Sequence, residues 1–576
     1  MAKRISKFML NQLKPYKWRI TFISSCMVIV VALGILTPLV QQIIFDDGII
    51  AGDFNIVLKY IVIIVGLFLA EELFSYFQFS QYERINRQIS IDLMYKAVEH
   101  SIDLKVSYHQ DNNFAKTISN VYSDIQSITN IISNSLLHII ISLFRIIGGI
   151  VGLIIIDWRL TIFILSIIPL EIITKNLFSK LKKKHFVTLM KLNESFSIWF
   201  SETFKCIEII KLWNIEARRK NEFLKLKKEI ADLDKQLAYI DNFSDASSRI
   251  LSNIFTNGLT LLGAILILRD SLTIGGLFAF TAYTMYVIQP IAIVANISFM
   301  LKSSVPAFNR YIDYFDNDVE TSGGKNIIKA ESEIKEIIFE NVIFNYNGKA
   351  PVLRELNFSI KKGEKVAFVG ANGSGKTSIT NLLLRFFEPQ NGHIKLNGMD
   401  IKNINLSDYR DLFSVMLQNP ILFDTSIKGN VNITNDLTDQ EIHNAMNLTT
   451  ASDFIESLPD GIETSVGYNG SKLSGGEKQK VALARVLAKK SKILILDEAT
   501  GSFDLGAEVK FDEFIIQSTY YEMIIIISHR VDILRKVDKI FIIENGTVAD
   551  IGTFDKLINS NENFKKILTN AKDNAL

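Results

Sequence analysis

Residues 365–378, KVAFVGANGSGKTS, run from an apolar strand-like segment through a glycine-rich turn into a helix start. They fit G-x-x-x-x-G-K-[ST] at Gly370, Gly375, Lys376 and Thr377. In such a loop, glycines let backbone N–H groups approach phosphates, the lysine reaches the terminal phosphates and the hydroxyl suits Mg²⁺. Asn372, Gly373, Ser374 and Ser378 complete the cradle. A second apolar run, KILILDEAT, ends in Asp497 and Glu498. Asp497 is suited to supporting Mg²⁺ and Glu498 to polarising a water. Alone, the pair equally fits acids capping the next helix; after a phosphate loop, the catalytic reading is preferred.

Three further residues gain meaning from this company. His529 closes the run IIIISHR, where it can contact a terminal phosphate. Gln418, in VMLQNPILF, carries an amide that can ligate Mg²⁺ or water, and is also an ordinary turn residue before Asn-Pro. Tyr346, in FNYNGKAP, offers a ring for stacking on a base, or is simply a half-buried strand residue.

A second helix start, KLSGGEKQK at 472–480, also suits a phosphate. Ser474 and Glu477 form the S-x-x-E pattern of a capping box. The box does not account for Gly475 and Gly476, which weaken the first turn. They make sense if something must approach the backbone closely.

The elements that position these residues fall in two halves. The chain has 576 residues, 48% hydrophobic, too many for one core. Residues 336–576 alternate strand-like and helical runs, which implies an α/β sheet domain. Residues 1–320 carry six apolar segments long enough to cross a bilayer, at about 18–45, 56–80, 130–156, 158–180, 246–268 and 274–300. The polar stretch around 321–335 reads as a linker. The connections DDGIIAGD, DWR and RDSLT are short; those at 81–129 and 181–245 are long, free of Pro and Gly, and predict helices continuing past the membrane. Lys3, Arg4, Lys7, Lys14, Lys17 and Arg19 precede the first span, whereas Asp46, Asp47 and Asp53 occupy the first short loop. The positive-inside rule therefore puts both termini and both long connections in the cytoplasm. The basic start reads as an anchor, not a cleavable signal, and no peptidase-like segment is expected before the first span. Net charge is +2, so no global polyanion-binding signal exists and no nucleic-acid partner is expected. Cys26 and Cys206 form neither a disulfide framework nor a metal motif.

Charges inside spans are costly and point to function. Glu71, Glu72, Arg145 and Glu171 stand out, with His138 and Asn296 behind them. Counted from the outer span ends, Glu71, Arg145 and Glu171 share a depth within roughly 6 Å. The expectation is an intramembrane polar cluster in which Arg145 pairs with Glu171 or Glu71, as a structural lock or a substrate contact. Pro169 and Pro290 are expected to kink their spans.

Taken in order, Tyr346, the Gly370–Thr377 loop, Gln418, LSGGE, ILILDE and His529 resemble the motif set of an ABC-transporter nucleotide-binding domain. With six preceding spans, the whole chain resembles an exporter-type half-transporter. The resemblance implies a multidomain membrane protein: an all-α six-helix transmembrane domain with long cytoplasmic helices, then an α/β P-loop NTPase domain. It implies ATP and Mg²⁺ as ligands, with Thr377, Gln418 and Asp497 at the metal and Glu498, His529 and Gln418 in catalysis. It implies a dimer with a second copy or a homologous half-transporter, in which Ser474, Gly475, Gly476 and Glu477 close on the partner's nucleotide. Tyr108–Phe114 and Cys206–Trp213 would be coupling helices. The implied work is ATP-driven movement of a lipid, drug or peptide; an exporter-shaped importer, half of a heterodimer, or a membrane-anchored ATPase are the alternatives. Glu477 stands where the family usually has Gln, Tyr468 where it has Glu, and GSFD (501–504) replaces SALD. None of these removes Lys376, Asp497, Glu498 or His529.

Overall fold

A computed structural model describes residues 8, 11–111, 114–130, 136–324, 326, 333–346, 348, 350–501, 503 and 505–573. It does not describe side chains at 111–116, 130–140, 291–304, 505 and 569–573, so those of His138 and Asn296 lie outside the described residues. The chain divides into two compact units, 1–102 with 113–318, and 103–112 with 319–576.

The first unit is helical: α1 (Lys17–Ile43), α2 (Phe54–Asp103), α4 (Phe114–Asn130), α5 (Leu136–Ile156), α6 (Trp158–Leu165), α7 (Ile167–Lys205), α8 (Ile207–Leu212), α9 (Glu216–Leu268) and α10 (Ile274–Phe315); the short α3 (Val106–Asp111) belongs to the second unit. The stretches Asn11–Ile50, Trp158–Lys205 and Glu216–Leu268 are long and apolar enough to cross a membrane by length and composition alone. α2 and α9 run 50 and 53 residues without a break. At 1.5 Å per residue each is about 75–80 Å long, far beyond the roughly 30 Å hydrocarbon core.

Local chemistry sets the boundaries. Asp157 caps α6, accepting from Arg159 N at 2.7 Å and Leu160 N at 3.1 Å, so a single residue suffices to turn the chain after α5. α6 and α7 are parted at Ser166, three residues before Pro169. The proline ring lacks the N–H that would bond Leu165 O and crowds that carbonyl, which opens the preceding turn. Pro290 behaves differently and lies inside a continuous α10. α1 continues into a π-helical turn, Ile44–Ile50, where Asp46 accepts from Gly275 N at 2.9 Å and Thr273 Oγ1 at 2.7 Å. An acid that marks the outer loop in sequence thus also caps the start of α10.

The second unit contains two sheets. β1 (Glu336–Phe344), β2 (Leu353–Lys361), β4 (Asn391–Leu396) and β5 (Met399–Asp400) form an antiparallel sheet in the order β2-β1-β4-β5. The six-stranded sheet runs β10-β9-β3-β8-β7-β6, where β3 is Lys365–Val369, β6 Phe413–Met416, β7 Ile493–Asp497, β8 Met523–Ile527, β9 Lys539–Glu544 and β10 Thr547–Gly552. β6, β7, β8, β3 and β9 are mutually parallel, and β10 returns antiparallel. Every residue of β7 and β8 is buried, as expected for central parallel strands covered on both faces. The helices α11 (Lys376–Leu383), α12 (Gly475–Ala488) and α13 (Leu505–Gln517) follow the phosphate loop, the LSGGE stretch and β7.

Candidate functional site

The three adjacent strands β3, β7 and β8 all end at one edge of the sheet, and each delivers part of the site. β3 leads into the phosphate loop, which closes on α11. Gly375 has φ +110°, a backbone that side chains rarely adopt, and a Cβ there would come within 2.6 Å of Leu353 Cδ2. Lys376 Nζ folds over the loop and donates to Gly370 O at 2.6 Å and Ala371 O at 3.0 Å. Burial holds its pKa below the usual lysine range, against the pull of Glu498 and Asp497. Ser374 Oγ is buried without a hydrogen-bond partner. An orphaned hydroxyl inside a glycine loop beside a cationic amine fits an oxygen-rich anion such as a polyphosphate.

β7 delivers Asp497 and Glu498. Asp497 is 4% exposed, and burial together with the neighbouring Glu498 pushes its pKa up to about 6. Glu498 has φ +47°, unusual for a residue with a side chain, and its N–H donates to Ile527 O at 3.0 Å. Such a backbone costs on the order of 1 kcal/mol and is characteristic of functional positions. Gln418, beyond β6, donates from Nε2 to Glu498 Oε2 at 2.7 Å. β8 delivers His529, which lines a cavity of about 170 Å³ together with Glu498, Thr500 and Gly501. Burial and the nearby Lys376 hold the His529 pKa below the usual histidine range, so the ring is neutral at pH 7.

Tyr346 packs on the side of α11 near its first turns. Its hydroxyl is 3.0 Å from Ser378 Oγ and accepts from Asn381 Nδ2 at 3.3 Å, while its ring meets Phe344 and Phe387 edge-on. Ser378 therefore positions Tyr346 through the first turn of α11. At α12 the capping box is present: Glu477 N donates to Ser474 Oγ at 3.4 Å and Ser474 N to Glu477 Oε2 at 2.8 Å. A Cβ on Gly475 would meet nothing within 4 Å. Among the described residues, no neighbour requires that glycine.

One contributor escaped the sequence reading. Arg530, next to His529, is 2.6 Å from Glu508 Oε1 through Nε, 2.8 Å from Asp512 Oδ2 through Nη2, and donates to Thr500 Oγ1 at 2.8 Å. It ties the residue after His529 to the strand end after Glu498. Glu508 and Asp512 stand one helical turn apart on α13, but the cation that meets them comes from beyond β8, a pairing set by tertiary packing alone. Within GSFD, Ser502 and Asp504 lie outside the described residues.

The intramembrane charges divide in two. Glu171, 1% exposed, accepts from Ser248 Oγ on α9 at 3.0 Å, one turn from Lys175, which bonds Asp245 Oδ1 at 3.1 Å. It does not pair with Arg145. The sequence gives an expected depth along each helix, but the α7 face that carries Glu171 packs on α9, a matter of rotation about the axis. Arg145 instead lies within electrostatic reach of Glu71 and Tyr286, without an ion pair among the described residues. Glu72 is exposed.

Two family models match the chain: the ABC transporter transmembrane region over residues 20–291 and the ABC transporter ATP-binding model over 353–501. The chain belongs to the ABC transporters. Its relatives include a putative multidrug export ATP-binding/permease protein of Staphylococcus aureus, 29% identical over 97% of both chains. An ATP-dependent lipid A-core flippase of Syntrophus aciditrophicus is 27% identical over 96% of this chain and 92% of its own. The structure of a bacterial Atm1-family ABC exporter with ATP bound superposes with a TM-score of 0.85 at 21% identity, covering 96% of this chain and 98% of that one. The family places this ABC protein in a membrane, and its fold is that of an exporter: a helical transmembrane-type domain fused to an α/β nucleotide-binding domain.

Proposed function

We propose that this ABC transporter hydrolyses ATP to export or flip an amphipathic or hydrophobic substrate, and that it does so as a dimer in which each LSGGE segment closes on nucleotide held by the other chain's phosphate loop. The observation that carries the reading is the capped, open helix start at Ser474: it has the N–H groups of a phosphate site, and Gly475 leaves room that nothing in its own chain uses. The relatives named for multidrug export and for flipping a lipid support the substrate class.

The residues divide the chemistry. Lys376 and the loop N–H groups bind the terminal phosphates. Tyr346, fixed by Ser378, presents its ring to the base. Thr377, Gln418 and Asp497 are hard oxygen donors, and Asp497 with Glu498 forms an acid pair that Lys376 balances in part, which fits Mg²⁺. A bound Mg²⁺ would neutralise phosphate charge. Glu498, held in place by Gln418, orients and polarises the attacking water. The neutral His529 ring offers a hydrogen bond toward the terminal phosphate. Charge distribution supports a cytoplasmic N-terminus and ATP-binding domain.

The test is Ser474→Arg in the full-length protein. ATPase should fall at least a hundredfold while fluorescent ATP-analogue binding stays within twofold of the unmodified protein. Loss of binding in step with turnover would place the LSGGE segment in its own chain's site and overturn the reading.

A further inference from the structure

The first unit carries an apolar cavity of about 490 Å³ whose lining includes Phe45, Ile64, Phe278, Ala282 and Met285, contributed by the π-helical turn after α1 and by the outer parts of α2 and α10. Its volume lies within the range of small-molecule sites, roughly 300–1,000 Å³. Phe45 and Phe278 stack with centroids 4.3 Å apart, giving it a rigid aromatic wall. No charged side chain lines it; the polar members are Gln41, near the outer end of α1, and Thr281, whose hydroxyl already donates to Leu277 O.

The polar groups lie further inward: Glu71 and Tyr286 on the lining helices α2 and α10, and Arg145 on the neighbouring α5. Glu71 follows Ile64 by seven residues, which returns to nearly the same face of α2 about 10 Å deeper. Tyr286 follows Ala282 by one turn of α10. Room for its ring comes from glycines: a Cβ on Gly34 would sit 3.0 Å from Tyr286 Oη, and one on Gly149 would sit 3.1 Å from Tyr286 Cβ. Arg145 lies one turn inward of Gly149 on α5. Arg145 and Glu71 are thus opposite charges at membrane depth, within reach of one another, and neither is paired within 4.0 Å among the described residues. Arg cannot shed its charge, so leaving it unpaired at this depth is costly.

We propose that this face binds a zwitterionic membrane phospholipid, its phosphate at Arg145 and Tyr286, its ammonium at Glu71, and acyl chain in the cavity against Phe45 and Phe278. The inference rests on the amphiphile-export reading above and names its substrate class. A cation alone would leave Arg145 uncompensated, and an anion alone would leave Glu71 so. The polarity also fits: headgroup inward and chain outward is the orientation of a lipid in the cytoplasmic leaflet, which a flippase must engage first.

The experiment uses the full-length protein in nanodiscs and measures ATPase stimulation relative to each variant's own unstimulated rate. The probes are short-chain phosphatidylethanolamine, short-chain phosphatidylglycerol, a cationic amphipathic dye and an amphipathic zwitterionic peptide. Phosphatidylethanolamine should stimulate the unmodified protein at least twofold and the other three should not. Arg145→Gln and the cavity-filling Phe278→Trp should abolish that response, and Arg145→Lys should restore part of it. Glu71→Gln should switch the preference to phosphatidylglycerol, which a purely structural ion pair would not do and which decides the matter even if Arg145→Gln fails to fold. A Glu71→Gln protein that keeps the original preference overturns the proposal. So does stimulation of the unmodified protein only by the dye or the peptide, which leaves amphiphile export standing. No stimulation by any probe overturns both readings.

Discussion

Asp497 shows what the site costs. Its carboxyl is buried beside Glu498 and titrates near pH 6, above the usual carboxylate range. Between the unfolded value near 4 and about 6, the folded chain holds a proton that the unfolded chain has lost. Stability therefore declines as pH rises through that window, and at pH 7 the ionised Asp497 is a net burden of at most about 3 kcal/mol. Asp497→Asn should remove most of that burden, raising the melting temperature by a few degrees at pH 7 and having little effect at pH 4.5, while ATPase is lost. In the unmodified protein, kcat/KM for ATP should fall as pH drops below about 6, since the free protein then carries protonated Asp497. A thermal melt at the two pH values and a pH–rate profile check both. Lys376 is legible from the strand–loop–helix motif alone, whereas Asp497, Glu498 and His529 are read only in the company of that loop, as polar residues that end strand-like apolar runs. Left-handed Glu498 and the Arg530 tie to Glu508 and Asp512 were not legible, since both depend on strands and helices brought together from distant segments.

At the scale of the element, α12 couples two demands on one turn. The Ser474–Glu477 box satisfies backbone donors at its start, and Glu477, in place of the family's usual Gln, completes the box through its Oε2. Gly475 in the same turn weakens the helix. Because a Cβ there meets open space, Gly475→Ala should stabilise the nucleotide-binding unit by about 0.5 kcal/mol, the lower end of the Gly-to-Ala range in helices. The same change should reduce ATPase at least tenfold if a partner's nucleotide must reach that backbone. Opposite signs in a denaturation curve and a turnover assay are the expected result; equal signs would return Gly475 to an ordinary helix residue. Helix lengths were legible for a related reason: apolar runs and the lack of Pro and Gly between them predicted α2, α7 and α9 extending past a bilayer. Helix rotation was not, because both faces of a span are apolar, which is why Glu171 turned out to belong with Ser248.

At the scale of the whole molecule, two stretches of exposed apolar surface among the described residues call for different covers. Phe54, Leu58, Val62, Val65 and Leu69 near the start of α2 are exposed, and in the proposed topology lipid covers them. Leu212 and Trp213 are 78% and 75% exposed at the end of α8. The 48 residues from Trp158 to Lys205 span about 70 Å, more than twice the hydrocarbon thickness, so in the proposed topology this tip stands clear of the membrane. Large apolar side chains exposed to water indicate a protein surface still to be covered. A dimer accounts for this tip and for the open LSGGE turn together. Asn372 in the phosphate loop and Lys472 before Ser474 are both exposed. After replacement of Cys26 and Cys206, one chain carrying Asn372→Cys and another carrying Lys472→Cys, co-assembled with ATP and oxidised, should form a cross-linked dimer. Neither chain alone should do so, since like positions do not face each other in a head-to-tail nucleotide sandwich. A double-cysteine chain that bridges within itself, and never between chains, would leave the LSGGE turn with no partner to serve.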